Sequence, residues 1–511
     1  MFSRIHWCLY HVWVTRALTR GASFSQETIR LPFYGRVRGG SDAFSLLGQG
    51  PNSNHDDKVP SIQAPQIWTE PKRALVLMDV FSEYHGIYLS HQAREAYGVA
   101  TVSVLSDYMK GYFEREATEE LDRWKREFMP DDGAFGEWMK SLEDLELVAI
   151  SCESDSGLAD AERFGNKLNL TYHNGFNEAR RNKFQMIEAV REAGLAVVRQ
   201  RLCANADEAI AFAQEIGVQT DGGDTRVVVK PVRGVASDDV HLCKDLSSVK
   251  EAFDKIHGSS VFGSPSEKHD AVLLQEFAEG QEFAIDVVCK DGEKKVAAIW
   301  IYDKRPANGA PFVYYATEVY DGDQTQTLYE YVSKTLDALG VRWGMTHNEV
   351  IVTKDGPRLV EVNCRQHNMD FIPITMGCFG YNAFDMLLAA YLGDLPPIDD
   401  GAPRLRWDLL PHIPAKRMNG QMVHLSSFVS GRLRSVNEEA LMEIQQMESV
   451  VDLEVYGYFL QPGNPIRKTV DIRTDCGWVQ MVHPDSQIFQ RDFNRIIELM
   501  PTIFDMEEDS S

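Results

Sequence analysis

Along residues 73–177, short apolar runs alternate with segments of helical spacing. Arg73–Met78 is an almost unbroken apolar run closed by Asp79, the pattern of a buried strand. Residues 86–96 read as a helix, 99–104 as a second strand and 148–150 as another, with helical spacing again over 156–164. Strands alternating with helices predict a small parallel-sheet α/β domain over 71–177.

Beyond it the pattern turns to α+β. Two helical stretches, the first over 178–193, flank 195–202. A strand over 226–230 stops at Pro231, where a central strand cannot easily continue. Residues 271–277 form a strand that leads through Gly280 into 283–288. Strands at 296–302 and 312–315, a helix at 324–339, a hairpin over 346–365 and a helix at 382–392 follow. Pro396 and Pro397 mark a boundary, and residues 400–511 read as a third unit, with strands near 452–460 and 477–482 and a helix at 486–499.

Charge narrows the partners. The 511 residues carry 52 basic and 76 acidic side chains, a formal −24, which argues against nucleic acid or an anionic membrane surface. No apolar run approaches the ~18 residues of a membrane span. The eight cysteines include no CxxC pair, against a zinc ribbon or redox motif and in keeping with reduced thiols in an intracellular compartment. Residues 1–40 stand apart, with six arginines against the single acid Glu27, so the remainder of the chain stands at −29. That start reads either as an organelle transit peptide or as an unstructured extension, and 39–70 as linker. The expected location is the cytoplasm, or an organelle matrix if residues 1–40 are a transit peptide.

Candidate chemistry concentrates in residues 347–365. Apolar residues on both sides of Lys354-Asp355-Gly356-Pro357 spell an antiparallel hairpin. A turn centred on Asp355 sets Glu349 opposite Glu361 and His347 opposite Asn363. The two-residue repeat of a strand puts Glu361 and Asn363 on one face. Opposed carboxylates repel unless a cation lies between them, and two Glu with one Asn are oxygen donors suited to Mg²⁺. The alternative is a solvated hairpin with its acids in water; the nearby Arg365 favours the first reading.

Two further segments gain meaning beside it. Lys230 ends a strand, and the following loop, with Gly234 and Ser237, can offer backbone N–H groups to phosphate oxygens. Residues 273–283 form a strand opening into a Gly-containing hinge that can present backbone groups to an adenine edge. Glu282 there can accept hydrogen bonds from ribose hydroxyls. Taken alone, each is an ordinary surface lysine or acidic turn.

In this order the three elements resemble the ATP-grasp superfamily over about residues 71–395, and more loosely to the C-terminus. The resemblance implies an α/β and α+β chain: a 1–70 extension and linker, a small α/β domain over 71–177, a two-lobed ATP-grasp domain over 178–395 and a C-terminal α+β unit over 396–511. It implies that Lys183 and Lys230, with the loop of Gly234 and Ser237, bind phosphates. By the same token Glu276, Phe277 and Ala278 form the adenine hinge, Glu282 takes the ribose, and Glu349, Glu361 and Asn363 hold the metal. Arg365 is then the arginine that stabilises an acyl-phosphate.

Within the superfamily, the His-x-Glu…Glu-Val-Asn-x-Arg pattern looks most like L-amino-acid ligases and related dipeptide-forming carboxylate–amine ligases. That likeness implies ATP and Mg²⁺ (or Mn²⁺) as cofactors, small-molecule carboxylate and amine substrates, neither nucleic acid nor membrane as partner, and a homodimer. The activity implied is amide formation through an acyl-phosphate, with release of ADP and phosphate. The competing expectations are another ATP-grasp chemistry on a non-amino-acid small molecule, or a non-catalytic ATP-binding protein. The chain departs from those ligases where Asp238-Asp239 replaces glycines and where Arg365-Gln-His-Asn-Met-Asp370 replaces a Gly-rich turn. The base for the amine stays open among His347, His367 and Tyr381.

Overall fold

The computed structural model describes residues 73–507 apart from 81, 108, 110–125, 235–238, 262–263 and 398–402. The extension and linker expected over 1–70, and Ser237, lie outside the described residues.

Strands β1 (Arg73–Met78), β2 (Ala100–Leu105), β3 (Arg126–Phe128) and β4 (Glu146–Cys152) form a parallel sheet in the order β3-β2-β1-β4. Three helices pack on it: α1 (Tyr88–Tyr97), α2 (Phe135–Ser141) and α3 (Leu158–Lys167). The apolar run of β1 is explained by its two covered faces. Leu75 and Leu77 pack with Leu89 and Ala93 of α1, whereas Val76 and Met78 pack with Trp138 of α2 and Phe164 of α3. The expected helix at 86–96 starts later because a π-turn over Glu83–Ile87 precedes it, and it ends at Gly98, whose φ of 64° suits glycine.

The helical stretch expected over 178–193 is divided. Asn182 caps a new helix, α4 (Lys183–Glu192), accepting from the Gln185 N–H at 3.0 Å, so Lys183 becomes the first helical residue. The chain continues through β5 (Gln200–Cys203), α5 (Ala206–Ile216), β6 (Val227–Lys230), β7 (His241–Cys243), α6 (Leu246–Ile256), β8 (Ser260–Val261), β9 (Ser264–Lys268) and β10 (Val272–Glu276). Four of these strands make an antiparallel sheet, β5-β10-β6-β7, with α5 and α6 packed on it through Phe212, Val249 and Phe253.

The largest sheet begins with β11 (Gly280–Lys290), β12 (Glu293–Ala307) and β13 (Ala310–Val319). Helix α7 (Thr325–Ala338) leads to the hairpin β14 (Gly344–Thr353) and β15 (Gly356–Asn363), then to α8 (Ile372–Phe379) and α9 (Ala383–Leu392). Helix α8 is buried all round and so carries no periodic signal. After it come β16 (Asn419–Leu425), β17 (Gly431–Val436), α10 (Glu438–Gln445), β18 (Val450–Val455), β19 (Pro465–Ile466), β20 (Gly477–His483), α11 (Ser486–Leu499) and β21 (Phe504–Met506).

Eight strands join in the order β15-β14-β11-β12-β13-β16-β20-β18. Strands from both sides of the boundary expected at 396 therefore share one sheet. The sequence of 304–309 suggests a loop, either facing a substrate or on the plain surface, but most of it is strand. Lys304 belongs to β12, and the β12–β13 hairpin turns at Asn308-Gly309, both at positive φ, the residue pair that such tight hairpins favour.

One face of the large sheet is apolar. Phe283, Ile285 and Val287 of β11 pack there with Met186, Ile187 and Val190 of α4 and with Leu328, Val332 and Leu336 of α7. The alternate residues of β11, Glu282, Ala284 and Asp286, point the other way and carry the candidate chemistry.

Candidate active site

A cleft of about 290 Å³ is lined by residues of the four-stranded antiparallel sheet and of the eight-stranded sheet. Lys183, Lys230, Gly234, Glu276, Phe277, Ala278, Glu282, Glu349, Glu361 and Arg365, all singled out from sequence, line this one cleft.

The hairpin carries the acids. Glu349 of β14 faces Glu361 of β15, and His347 faces Asn363, as the expected register requires. The turn itself is shorter than expected: Thr353 pairs with Gly356 around the two residues Lys354 and Asp355. A β-bulge at Val360 adds one residue to β15 and brings the two glutamates into opposition. On the other side of β14, Glu349 pairs with Ala284 and His347 with Asp286.

Lys183 is held where α4 begins, its N–H bonded to the Val232 carbonyl at 3.0 Å, and its ammonium pairs with Glu361. Burial, helped by the charges of Lys230 and Arg181, pulls the Lys183 ammonium down to about 7. Burial likewise lowers Lys230 to about 8. Glu349 moves the opposite way for a buried acid. Burial alone would raise it, but the His347 hydrogen bond and charge, with Lys304 and Lys183, hold it at about 2. Asn363 donates to Glu361 Oε1 at 2.9 Å and sits behind the cleft wall instead of lining it.

The segment 276–280 joins the two sheets. Glu276 turns its carboxylate to Arg199 at 2.6 Å, and Arg226 lies over the Phe277 ring at 4.2 Å. Gly280 is required where β11 begins, because a Cβ there would meet the Val352 carbonyl oxygen at 2.1 Å. Glu282 pairs with Lys304 at 2.6 Å. Lys304 itself lies over the rings of Tyr302 and Tyr314, at 4.9 and 4.6 Å.

Sequence reasoning missed three groups. Asp155, just past β4, grips Arg365 through both oxygens, at 2.6 and 2.8 Å, and Arg365 also donates to the Gln366 carbonyl at 2.7 Å. The second is Lys304. The third is Asp286, whose two oxygens meet Nδ1 of His347 at 2.9 Å and Nδ1 of His367 at 3.2 Å, while the Trp300 Nε1–H donates to it at 2.6 Å. An acid inside the apolar run Phe283–Cys289 was the available signal for Asp286; nothing local marked Asp155.

The two histidines differ although their ring centroids are 4.0 Å apart. Burial opposes charge on His347, yet its bonds to Asp286 and Glu349 win and raise it to about 9. For His367, burial and the neighbouring His347 charge win, and the ring falls to about 4.

The donor set on the hairpin fits a hard divalent cation. Two opposed carboxylates offer oxygen donors, the Asn363 amide hydrogen-bonds Glu361 beside them, and the Lys183 ammonium already lies against Glu361 as a positive charge would.

Fold and site together have the form of an ATP-grasp protein, and the comparisons agree. Residues 224–370 match the ATP-grasp domain family. Dapdiamide A synthase of Enterobacter agglomerans is 26% identical over 431 residues, covering 83% of this chain and 95% of that protein. The crystal structure of L-amino acid ligase from Bacillus licheniformis superposes with a TM-score of 0.63 at 16% identity, covering 86% of this chain and 100% of the other. Carboxyaminoimidazole ribonucleotide synthase from Aspergillus clavatus, solved with ATP, gives 0.56 at 14% identity, covering 86% and 100%. The chain thus carries an ATP-grasp domain over residues 224–370 and is similar over most of its length to ATP-grasp ligases. Among the described residues no helix is long and apolar enough to cross a membrane.

Proposed function

We propose that the protein is an ATP- and Mg²⁺-dependent carboxylate–amine ligase. In this reading it phosphorylates a substrate carboxylate and lets an amine displace the phosphate, giving an amide, ADP and phosphate. The observation that carries it is the meeting, in one cleft, of two opposed glutamates, two buried lysines and an arginine.

A carboxylate is a poor electrophile, so placing a phosphate on its oxygen is the central task. Positioning and charge stabilisation supply most of the catalysis in such a transfer. Lys183 and Lys230 hold phosphate oxygens, and Arg365, whose planar guanidinium is oriented by Asp155, faces the acyl-phosphate. Glu349, Glu361 and Asn363 would hold the cation, which when bound neutralises phosphate charge. Glu276, Phe277 and Ala278 take the adenine edge and Glu282 the ribose, while Gly234 and Ser237 belong to the phosphate loop. The likeness to a dapdiamide synthase and to an L-amino acid ligase favours amino-acid-like substrates.

The test is incubation with ATP, Mg²⁺ and pools of amino acids, followed by assay of ADP, phosphate and amide products. Substrate-dependent ADP, phosphate and amide are expected. AMP in place of ADP would overturn the chemistry, and ATP turnover with no amide would point to another acceptor.

A further inference from the structure

Amide formation needs a group to take a proton from the incoming amine. Three side chains were open for that task. Tyr381 packs near Phe379 and outside the cleft lining, and burial pushes its phenol up. His347 has both ring nitrogens already engaged by carboxylates, Nδ1 on Asp286 at 2.9 Å and Nε2 on Glu349 at 3.3 Å.

His367 is arranged differently. Its Nδ1–H donates to Asp286 Oδ2, which leaves Nε2 as an acceptor facing the Tyr302 hydroxyl at 3.3 Å, and the ring lines the cleft. The carboxylate cannot swing away, because the Trp300 Nε1–H holds the same oxygen at 2.6 Å, and the imidazole packs on Phe371 with centroids 4.4 Å apart. His367 also sits in the segment that departs from the expected Gly-rich turn.

We propose that His367, oriented by Asp286, is the catalytic base for the amine substrate, an assignment that rests on the ligase reading above. The amine arrives as an ammonium, and Nε2 takes one proton. The freed nitrogen lone pair forms the bond to the acyl carbon. The carbon–oxygen bond to phosphate breaks with its electron pair leaving on phosphate, which accepts the second nitrogen-bound proton. Asp286 faces the resulting imidazolium, which returns its proton to water. The charged and titratable groups facing the ring are Asp286 from β11, Tyr302 from β12, His347 from β14, and Arg365 on its own segment. With Nδ1–H on Asp286, Nε2 keeps the lone pair that a base requires.

The experiment compares two nucleophiles. With ATP, Mg²⁺ and the twenty amino acids as the carboxylate pool, hydroxylamine, unprotonated at neutral pH, traps the acyl-phosphate as a hydroxamate without help from a base. His367→Gln should keep hydroxamate formation near that of the unaltered protein and lose about 10²-fold in dipeptide formation at pH 7. That loss should shrink as pH rises past the amine pKa. His367→Ala should regain part of its dipeptide activity with added imidazole. Equal losses with both nucleophiles at every pH, or undiminished dipeptide formation, would overturn the assignment. Absence of hydroxamate from the unaltered protein would overturn the ligase reading and this proposal with it.

Discussion

The two ends of the cleft handle charge in opposite ways. Around the hairpin glutamates, charges of both signs face each other with the cations weakened: Lys183 and Lys230 are pulled to about 7 and 8 beside the glutamate pair. At the other end a single carboxylate, Asp286, serves two histidines, and only one of them holds a charge at neutral pH. The first end is a set of partners awaiting an ionic ligand. The second is a hydrogen-bonded unit centred on Asp286, joined to the first only where His347 Nε2 meets Glu349 at 3.3 Å.

The largest expected effect separates binding chemistry from folding. Glu361→Ala should lower substrate-dependent ADP release on the order of 10³-fold, as loss of a key charge stabiliser does, with a thermal unfolding midpoint near that of the unaltered protein. If ADP release survives, the hairpin glutamates are not where the cation acts. Asp286→Asn should do the reverse and strike stability. It leaves the His347 charge buried without its main partner, at a cost of about 3 kcal/mol in denaturant unfolding.

The contrast also decided what could be seen in advance. Glu349, Glu361 and Asn363 share one hairpin, so counting along two adjacent strands sufficed to bring them together. The count even succeeded with the wrong turn, because the Val360 bulge restored the opposition that a two-residue turn would otherwise shift. Asp286 reaches His347 from the neighbouring strand β11, 61 residues away, and Asp155 reaches Arg365 across 210 residues. No local period links such pairs; the topology alone brings them together. Most strands were legible from apolar runs, whereas α8, apolar on every side, offered no period to read.

Arg365→Lys sharpens the comparison at its midpoint. Lysine cannot reproduce the two-oxygen grip on Asp155, so substrate-dependent ADP release should fall about 10²-fold, a smaller loss than for Glu361→Ala. A value within threefold of the unaltered enzyme would mean that the orientation imposed by Asp155 is dispensable.

The histidine unit also carries a pH dependence. The folded-state value of His347, about 9, lies above its usual 6.5, so the stability it contributes is fully present below pH 6.5 and is lost as pH rises through 9. Measured without added divalent cation, the urea midpoint should fall between pH 7 and 9.5, and His347→Gln should flatten that part of the curve. An unchanged slope in the variant would remove His347 from the account.

The continuity of the eight-stranded sheet has a consequence for how the chain can be divided. Strand β13 is flanked by β12 on one side and, through Ala316, Thr317 and Glu318, by β16 on the other. A fragment ending at Pro396 would strip that second neighbour away and leave a row of unpaired backbone N–H and C=O groups next to Tyr314. Exposed edges of that kind recruit other chains. Such a fragment would therefore self-associate before its catalysis could be judged, although the two prolines make the cut look natural.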